Sequence, residues 1–288
     1  MSHSTSFKQT TIGYFSKLFG RGPVLPGESY GAPGVGNSMG ISIVTSVAII
    51  FLWWFITHMG WVKPLFLPSP ISVLRKFVEI WSEDFGGATL LTHTEASLFR
   101  VFSAFFLACV TAIPVGIAMG VNRVFRGIFD PPIEFYRPIP PLGYLPLTII
   151  WLGIEDTQKI TLIYLAVFAP MALNARAGVR SVTIEQIQMA YSLGASRAQV
   201  IWHVILKGAM PEILTGMRIG IGFGWTTLVA AEMVAAEAGI GHMVLSAAEF
   251  LVTDVVIMGI IVIGAIAYAF DLLMRFIERK VVPWKGKM

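Results

Sequence analysis

Six uncharged apolar runs limit the folds that this sequence can adopt. A helix rises about 1.5 Å per residue, so about 20 apolar residues cross the roughly 30 Å hydrocarbon core of a bilayer. The runs that approach this length are Ile41–Met59, Val101–Val121, Pro138–Ile154, Ile160–Ala175, Ile219–Ala231 and Val255–Phe270. Hydrophobic residues make up 55% of the chain and charged residues only 13%, far from the composition of a soluble domain. The sequence therefore predicts an all-α membrane protein with six transmembrane helices.

The positions of the lysines and arginines predict the orientation of these helices. Cytoplasmic loops of membrane proteins are enriched in Lys and Arg. With six spans and the N-terminus inside, 15 of the 21 basic residues are cytoplasmic. The others are Lys63, Arg75, Lys76, Arg100 and Lys159 on the far side, and Arg137 at the third span. Both termini are therefore predicted to be cytoplasmic, as is the polar loop between spans four and five.

The segment YRPIPPLGYLPL, at the start of the third run, contains four prolines that forbid a regular helix across its first half. Broken backbone at membrane depth is tolerated where protein buries it or water lines it, and a substrate path is one such place. On this interpretation Tyr136, Arg137 and Tyr144 line the path. An inner-surface loop, followed by a shorter helix from about Leu142, is an equally good interpretation.

The loop between spans four and five carries two helix-start signals. Thr183 with Gln186, and Ser196 with Gln199, fit the capping-box pattern, in which each side chain bonds the other residue's backbone N–H. Gly194 lies between them and can take the left-handed conformation that ends a helix. Two short helices separated by this glycine are predicted.

These two helices, at about 184–193 and 197–206, allow three interpretations. In a DNA-reading helix-turn-helix the second helix, RAQVIWHVIL, would need side chains that bond base edges, and it has almost none. A plain connecting loop accounts poorly for two capping boxes and a glycine break. A docking element for a cytoplasmic partner explains all three features.

This loop resembles the cytoplasmic loop of permease subunits in bacterial binding-protein-dependent ABC importers. The pattern there is Glu-Ala-Ala, three residues, Gly, nine residues, Ile, one residue and Leu-Pro. The corresponding residues here are Gln188, Met189, Ala190, Gly194, Val204, Leu206 and Lys207. Gln188 and Met189 replace Glu-Ala, and Lys207 replaces the proline, whereas the glycine and the spacing are intact.

The resemblance extends from about Leu65 to Trp284 and includes LFLPSP, GIAMG, YRPIPPLGYLPL, IYLAVFAP, PEILTGMRIGIGFGWTTLVAAE and the pair Thr253-Asp254. These segments are similar to the nitrate/sulfonate/taurine permease subfamily. The resemblance implies the type I importer permease fold and import of a small substrate, taurine first, with other alkanesulfonates or nitrate as alternatives.

The resemblance also implies an assembly in the bacterial inner membrane. Such a permease works as a homodimer with two ABC ATPase subunits and a periplasmic substrate-binding protein. The chain has no G-x-x-x-x-G-K-[ST] phosphate loop, so the ATPase partner is expected to bind ATP and Mg and the permease is not itself an enzyme. No cofactor, metal site, catalytic residue or nucleic-acid partner is expected for this chain.

Two groups of site residues follow from these interpretations. The residues expected to couple to the ATPase are Gln188, Met189, Ala190, Ser192, Leu193, Gly194, Ala195 and Arg197. The candidate substrate-path residues are Tyr136, Arg137, Tyr144, Trp225, Thr226 and Thr227. The path residues could offer donors or positive charge to a sulfonate and an aromatic face to an ammonium group. Core packing is the alternative interpretation of Trp225.

The chain is expected to consist of five segments. These are a mobile cytoplasmic tail at 1–40, the first span at 41–60, a periplasmic segment with an interfacial helix at 61–96, a core permease domain at 97–277 with its coupling loop at 176–217, and a cytoplasmic tail at 278–288. No cleavable signal is expected. For the interfacial helix, PISVLRKFVEIWS, a partner-binding surface is the alternative.

An ion-coupled secondary transporter is the rival of a different class, because transporters of that kind contain broken helices. It would show a repeated half and a charge at mid-membrane. The charges inside the runs, Glu232 and Asp271, are predicted near the ends of their spans instead.

Overall fold

The computed structural model describes residues 39–284, which form helices joined by short connections. Two compact units divide at residue 73, and each is considered by itself. The predicted mobile tail lies almost wholly outside the described residues, as do the last four residues of the chain.

The first unit contains α1 (Met39–His58), which is exposed along nearly its whole length. Its apolar residues have no described protein to cover them, as expected of a helix that faces lipid. After α1 the chain turns back, and the Trp53 Nε1–H donates to the Pro68 carbonyl at 3.0 Å.

Helix α2 (Pro70–Ser82) begins in this unit and ends in the next. Its start is capped because the Ser72 N–H donates to the Ser69 Oγ at 3.1 Å. One face is exposed and apolar, and consists of Ile71, Leu74, Val78 and Trp81. Phe77, which the sequence places on that face, is half-buried instead.

The second unit is a helical bundle. Its elements are α3 (Leu90–Val121), α4 (Arg123–Tyr136), α5 (Pro141–Leu152), α6 (Asp156–Ser181), α7 (Ile184–Ser192), α8 (Arg197–Gln199), a π segment (Val200–Ile205), α9 (Leu206–Ala235), α10 (Ile240–Glu249) and α11 (Thr253–Val281). Helix α6 lies at the centre, packed between α3 and α9. We call the end that carries α7 the α7 end, and the opposite end, which carries α10, the α10 end.

Glycines allow the three central helices to approach closely. A Cβ added to Gly120 of α3 would lie 2.5 Å from the Val179 Cβ of α6. A Cβ added to Gly178 of α6 would lie 2.7 Å from the Ala209 carbonyl oxygen of α9. Both distances are too short for real atoms, so these positions require glycine. These glycine positions therefore serve packing within one chain.

Helices α4 and α5 together replace the single third span predicted from the sequence. Along α6, Arg176 is ion-paired with Asp130 of α4, and the Tyr136 hydroxyl donates to the Leu165 carbonyl at 3.4 Å. Nearer the start of α6, the Gln158 amide donates to the Thr148 Oγ1 of α5 at 2.8 Å. The α4–α5 pair therefore runs from the α7 end of the bundle to the α10 end.

The prediction of a shorter helix from about Leu142 is confirmed, because α5 begins at Pro141, has only 12 residues and rises about 18 Å. Pro141 begins α5 as its first helical residue, where proline's missing N–H costs nothing. The prolines that precede it keep the connection from α4 non-helical. Five described helices are long and apolar enough to cross a membrane, and α5 is a shorter apolar helix.

The second short helix, predicted at about 197–206, begins as expected but does not end near Leu206. The capping box at Ser196 starts α8, which continues without a break through the π segment into α9. The fifth predicted span is therefore one helical rod of 38 residues, 197–234. Its polar first turns hid its continuity, because hydropathy detects only the apolar part.

Candidate functional site

A cavity of about 570 Å³ lies beside the α4–α5 connection. Arg137 and Pro140 of the connection form one wall, and Tyr136 and Tyr144 flank it from α4 and α5. The opposite wall comes from α6, and Phe223 of α9 lies at the edge with 53% of its surface exposed. This volume is in the range of small-molecule sites.

The cavity is mostly apolar with a few polar groups. The Arg137 guanidinium is half exposed and pairs with Glu134 at 3.4 Å. On α6, Pro170 has no N–H, so the Ala166 carbonyl, one turn earlier, lacks its usual helical donor. The Asn174 amide donates to the Pro170 carbonyl at 2.7 Å, which leaves the Asn174 side-chain oxygen as an acceptor. The cavity thus offers one cation and at least two acceptors.

The structure brings together three of the six candidate path residues. Tyr136, Arg137 and Tyr144 line this cavity. Trp225 is 6% exposed and packs in the core against Phe102, with ring centroids 6.5 Å apart. The next two residues also lie away from the lining, since Thr227 is buried and Thr226 is exposed on α9.

The second candidate site is the α7 loop, which consists of α7 (Ile184–Ser192) and the turn at Gly194 and carries most of the coupling candidates. Both ends of its helix are well formed. Thr183 and Gln186 make the predicted capping box at the start of α7. At its end the Ala195 N–H donates to the Ala190 carbonyl at 3.1 Å, and the Gly194 N–H donates to the Tyr191 carbonyl at 2.9 Å. These two bonds form a Schellman motif, which requires the left-handed φ of 84° at Gly194. The predicted glycine turn is confirmed.

One face of the α7 loop attaches it to the bundle. Ile187, Ala190 and Ala195 pack against an apolar cluster that includes Val179 of α6 and Ile205 of the π segment. Because interiors are closely packed, α7 is held against the helices on either side of it.

The other face of the α7 loop is exposed and apolar at its centre. Ile184, Met189, Tyr191 and Leu193 expose 68%, 66%, 48% and 83% of their surfaces. The remaining coupling candidates Gln188, Ser192 and Arg197 are also exposed. Beside them Glu185 has a pKa below its ordinary value, because its own backbone N–H and then the Thr183 hydroxyl stabilise the carboxylate. A compact apolar patch with a negative edge is typical of a protein-docking surface.

A buried polar cluster at the α10 end was not predicted as a site. Glu232 is completely buried and accepts hydrogen bonds from Arg100 Nη1 at 2.7 Å, from the Ser97 hydroxyl at 2.8 Å and from the Gly241 N–H at 2.9 Å. The Gly239 N–H donates to His93 Nδ1 at 3.0 Å. This cluster fastens the loop before α10 to α3 and α9. The sequence signal that could have indicated this cluster is the presence of two charged residues, Arg100 and Glu232, within apolar sequence.

The comparisons with known proteins agree with this architecture. The family model for the binding-protein-dependent transport system inner membrane component matches residues 112–283. The chain belongs to this family. The resemblance seen in the sequence is therefore confirmed, and the protein is a multi-pass membrane permease subunit.

Two relatives and one solved structure are similar to this permease over most of their lengths. The taurine transport system permease protein TauC of Escherichia coli (strain K12) is 55% identical over 249 residues, which cover 86% of this chain and 90% of TauC. The nitrate import permease protein NrtB of Synechocystis sp. is 30% identical over 247 residues, which cover 84% and 89%. A chain of the MetNI methionine ABC transporter, in an inward-facing conformation, gives a TM-score of 0.58 at 18% identity, covering 67% of this permease and 95% of that chain. This permease thus shares the fold of an ABC importer permease.

Proposed function

We propose that this permease passes taurine across the bacterial inner membrane in an ATP-driven importer. The observation that carries the proposal is the 55% identity to TauC over 90% of that protein's length. Other alkanesulfonates and nitrate are the alternative substrates, because relatives named for them are 30–33% identical. Membership of the binding-protein-dependent family disfavours the ion-coupled secondary transporter.

The α4–α5 cavity is the proposed transient substrate site. A sulfonate needs charge-assisted donors, and Arg137 offers them. The ammonium group of taurine needs acceptors, and the Ala166 carbonyl and the Asn174 side-chain oxygen are available on the opposite wall. The ring of Tyr144 adds an aromatic face for the same cation.

A second copy of the permease would close this cavity. Along α9, Ile219, Phe223 and Met233 are exposed on one face, with Gly222 and Thr226 also exposed. Small residues on an exposed apolar face favour close helix packing in a membrane. Because Phe223 belongs both to this face and to the cavity edge, a homodimer would place the path between its subunits.

Six crossings with both termini in the cytoplasm fit the contacts along α6. The α4–α5 pair connects opposite ends of the bundle, so it serves as the third crossing although neither helix is long enough alone. The α7 end, with the exposed Arg123 and Arg126 near the α3–α4 turn, then faces the cytoplasm in agreement with the positive-inside rule. A periplasmic binding protein would deliver substrate at the α10 end.

The α7 loop is the proposed contact with an ABC ATPase that binds ATP and Mg. Its exposed patch would sit in a groove of that subunit, and its buried face would carry the motion into α6 and α9. Two ATPase subunits would serve the two permeases of a homodimer.

The test is ATP hydrolysis by the permease reconstituted in liposomes with its companion ATPase. Binding protein loaded with taurine, an alkanesulfonate or nitrate is added in turn, and stimulation by taurine is expected. If only binding protein loaded with another substrate stimulates ATP hydrolysis, that compound and not taurine is the transported substrate. Uptake driven by an ion gradient without ATPase association would overturn the importer assignment.

The substrate site has its own test in Arg137→Gln. Loss of a charged hydrogen bond costs about 1.5–3 kcal/mol, so taurine transport is expected to fall about 10- to 100-fold. Arg75→Gln is the matched control, because Arg75 is exposed on α2 and outside the cavity. Equal transport by the two variants would show that Arg137 does not contact the substrate.

A further inference from the structure

A second, narrower groove of about 400 Å³ lies at the α7 end of α3. Pro114, Ile117 and Val121 of α3 form its floor, and Phe125 of α4 and Trp202 of the π segment form its sides. From Pro114 to Val121 the helix rises about 10 Å, which is less than the depth of one bilayer leaflet. The groove is therefore long enough for part of one acyl chain.

This groove continues a surface that faces lipid. Along the same helix, Phe99, Phe106, Leu107 and Val110 expose 60%, 62%, 48% and 73% of their surfaces. An apolar stripe of this length on a spanning helix is covered by hydrocarbon. An acyl chain can thus enter the groove directly from the bilayer along α3.

The mouth of the groove is positively charged. Arg197 lines it beside Asn122, and both are exposed. Arg123 and Arg126, which adjoin Asn122 and Phe125 in sequence, are exposed as well. Among the described residues no carboxylate forms an ion pair with any of these three arginines. Arg176, by contrast, is neutralised by Asp130 and Glu134.

Trp202 marks the depth of the groove mouth. Trp202 is 65% exposed. It lies in the π segment, where the wider helical turn changes the direction in which side chains point. Exposed tryptophan beside unpaired arginine is the arrangement found at the interface between headgroups and hydrocarbon. Apolar wall, interfacial tryptophan and cationic mouth thus follow one another along the groove.

We infer that this groove binds an anionic phospholipid of the cytoplasmic leaflet. One acyl chain lies on Pro114, Ile117 and Val121, and the phosphate lies beside Arg197. Basic pockets between spanning helices on the cytoplasmic side bind anionic headgroups by this combination of charge and hydrocarbon contact. The choice of leaflet rests on the proposed orientation, whereas the chemistry of the lipid rests on the groove alone.

Site occupancy can be measured by quenching of Trp202 fluorescence in vesicles. The full chain is reconstituted with either brominated phosphatidylglycerol or brominated phosphatidylcholine as the quencher. The chain has eight tryptophans, so the Trp202 contribution is the difference between the wild type and Trp202→Phe. We expect phosphatidylglycerol to quench this difference signal at several-fold lower mole fraction.

Arg197→Gln tests the headgroup contact, and Arg180→Gln is its matched control. One arginine beside an anionic lipid changes binding about five-fold, so Arg197→Gln should reduce the preference by that factor. Arg180 is an exposed arginine at the same end of the bundle that does not line the groove, and its replacement should leave the preference unchanged.

Three results would overturn the inference. Equal quenching by both lipids would mean a groove without headgroup selection. No quenching of Trp202 by either lipid would mean that protein covers the groove, either a second copy or residues 1–38. An equal loss of preference in both arginine variants would assign the effect to general surface charge. None of these measurements requires the ATPase or the substrate, so they are independent of the importer assignment.

Discussion

The two carboxylates that hold Arg100 should differ greatly in their contribution to stability. Glu232 is completely buried, whereas half of the Asp156 side chain is exposed. Arg100 Nε donates to Asp156 at 2.8 Å and Arg100 Nη1 to Glu232 at 2.7 Å, so the two bonds have nearly equal lengths. Glu232→Gln and Asp156→Asn therefore remove equal charges at nearly equal distances from Arg100, but Glu232 is buried and also accepts hydrogen bonds from Ser97 and Gly241.

The expected magnitudes follow from that burial. In Glu232→Gln an amide group replaces one acceptor oxygen and faces the donors of Ser97, Arg100 and Gly241, while Arg100 stays 4% exposed with a weaker set of partners. Breaking a buried ion pair from one side costs about 3–5 kcal/mol. An ion pair with an exposed partner contributes about 0–1 kcal/mol, so Asp156→Asn should change little.

The assay is unfolding by SDS in mixed micelles, followed by circular dichroism, for the wild type and both variants. We expect the free energy of unfolding to fall by about 3–5 kcal/mol for Glu232→Gln and by less than about 1 kcal/mol for Asp156→Asn. Equal losses, or a loss below about 1 kcal/mol for Glu232→Gln, would refute the assignment of Glu232 as the buried counter-ion of Arg100.

Three further predictions concern glycines and a helix cap. Gly178→Ala should lower the free energy of unfolding by about 1–3 kcal/mol through overlap with α9, whereas Gly127→Ala, with open space around it, should raise it by about 0.5–1 kcal/mol in the same SDS assay. Thr183→Ala should cost α7 about 1 kcal/mol of capping energy, seen as about five-fold faster hydrogen exchange of its first amides, and unchanged exchange would contradict the cap. Gly194→Val should abolish ATP-driven transport, whereas Gly153→Val, at another open position with positive φ near the α10 end, should retain it. Equal transport by the two variants would show that the turn at Gly194 is not needed for coupling.

The features predicted correctly from the sequence are those fixed by nearby residues. The capping boxes at Thr183 and Ser196 and the turn at Gly194 depend on partners within about four residues, and all three form as expected. The long apolar helices were predicted for the same reason, because hydropathy sums local composition.

The features missed by the sequence depend on distant partners or on packing. Glu232 and Ser97 are 135 residues apart in sequence, so no local pattern joins them. Helix α4 continues through Pro131 and Pro132 and precedes the third apolar run, and hydropathy did not detect it because its sequence is amphipathic and highly exposed. Trp225 is adjacent to Thr226 in an apolar run, and only the packing against Phe102 separates a core position from a surface one.

The continuous helical rod from Arg197 to Val234 can tilt as one rigid body. Its 38 residues extend about 57 Å, so a tilt of about five degrees about a fixed point near its last residues displaces the α7 end by about 5 Å. The fulcrum lies near Glu232, three residues before the last residue of α9, where the polar cluster fixes the rod to α3. A small rotation imposed on the α7 loop would thus open or narrow the cavity beside Phe223 by tilting the rod, without breaking a helical hydrogen bond.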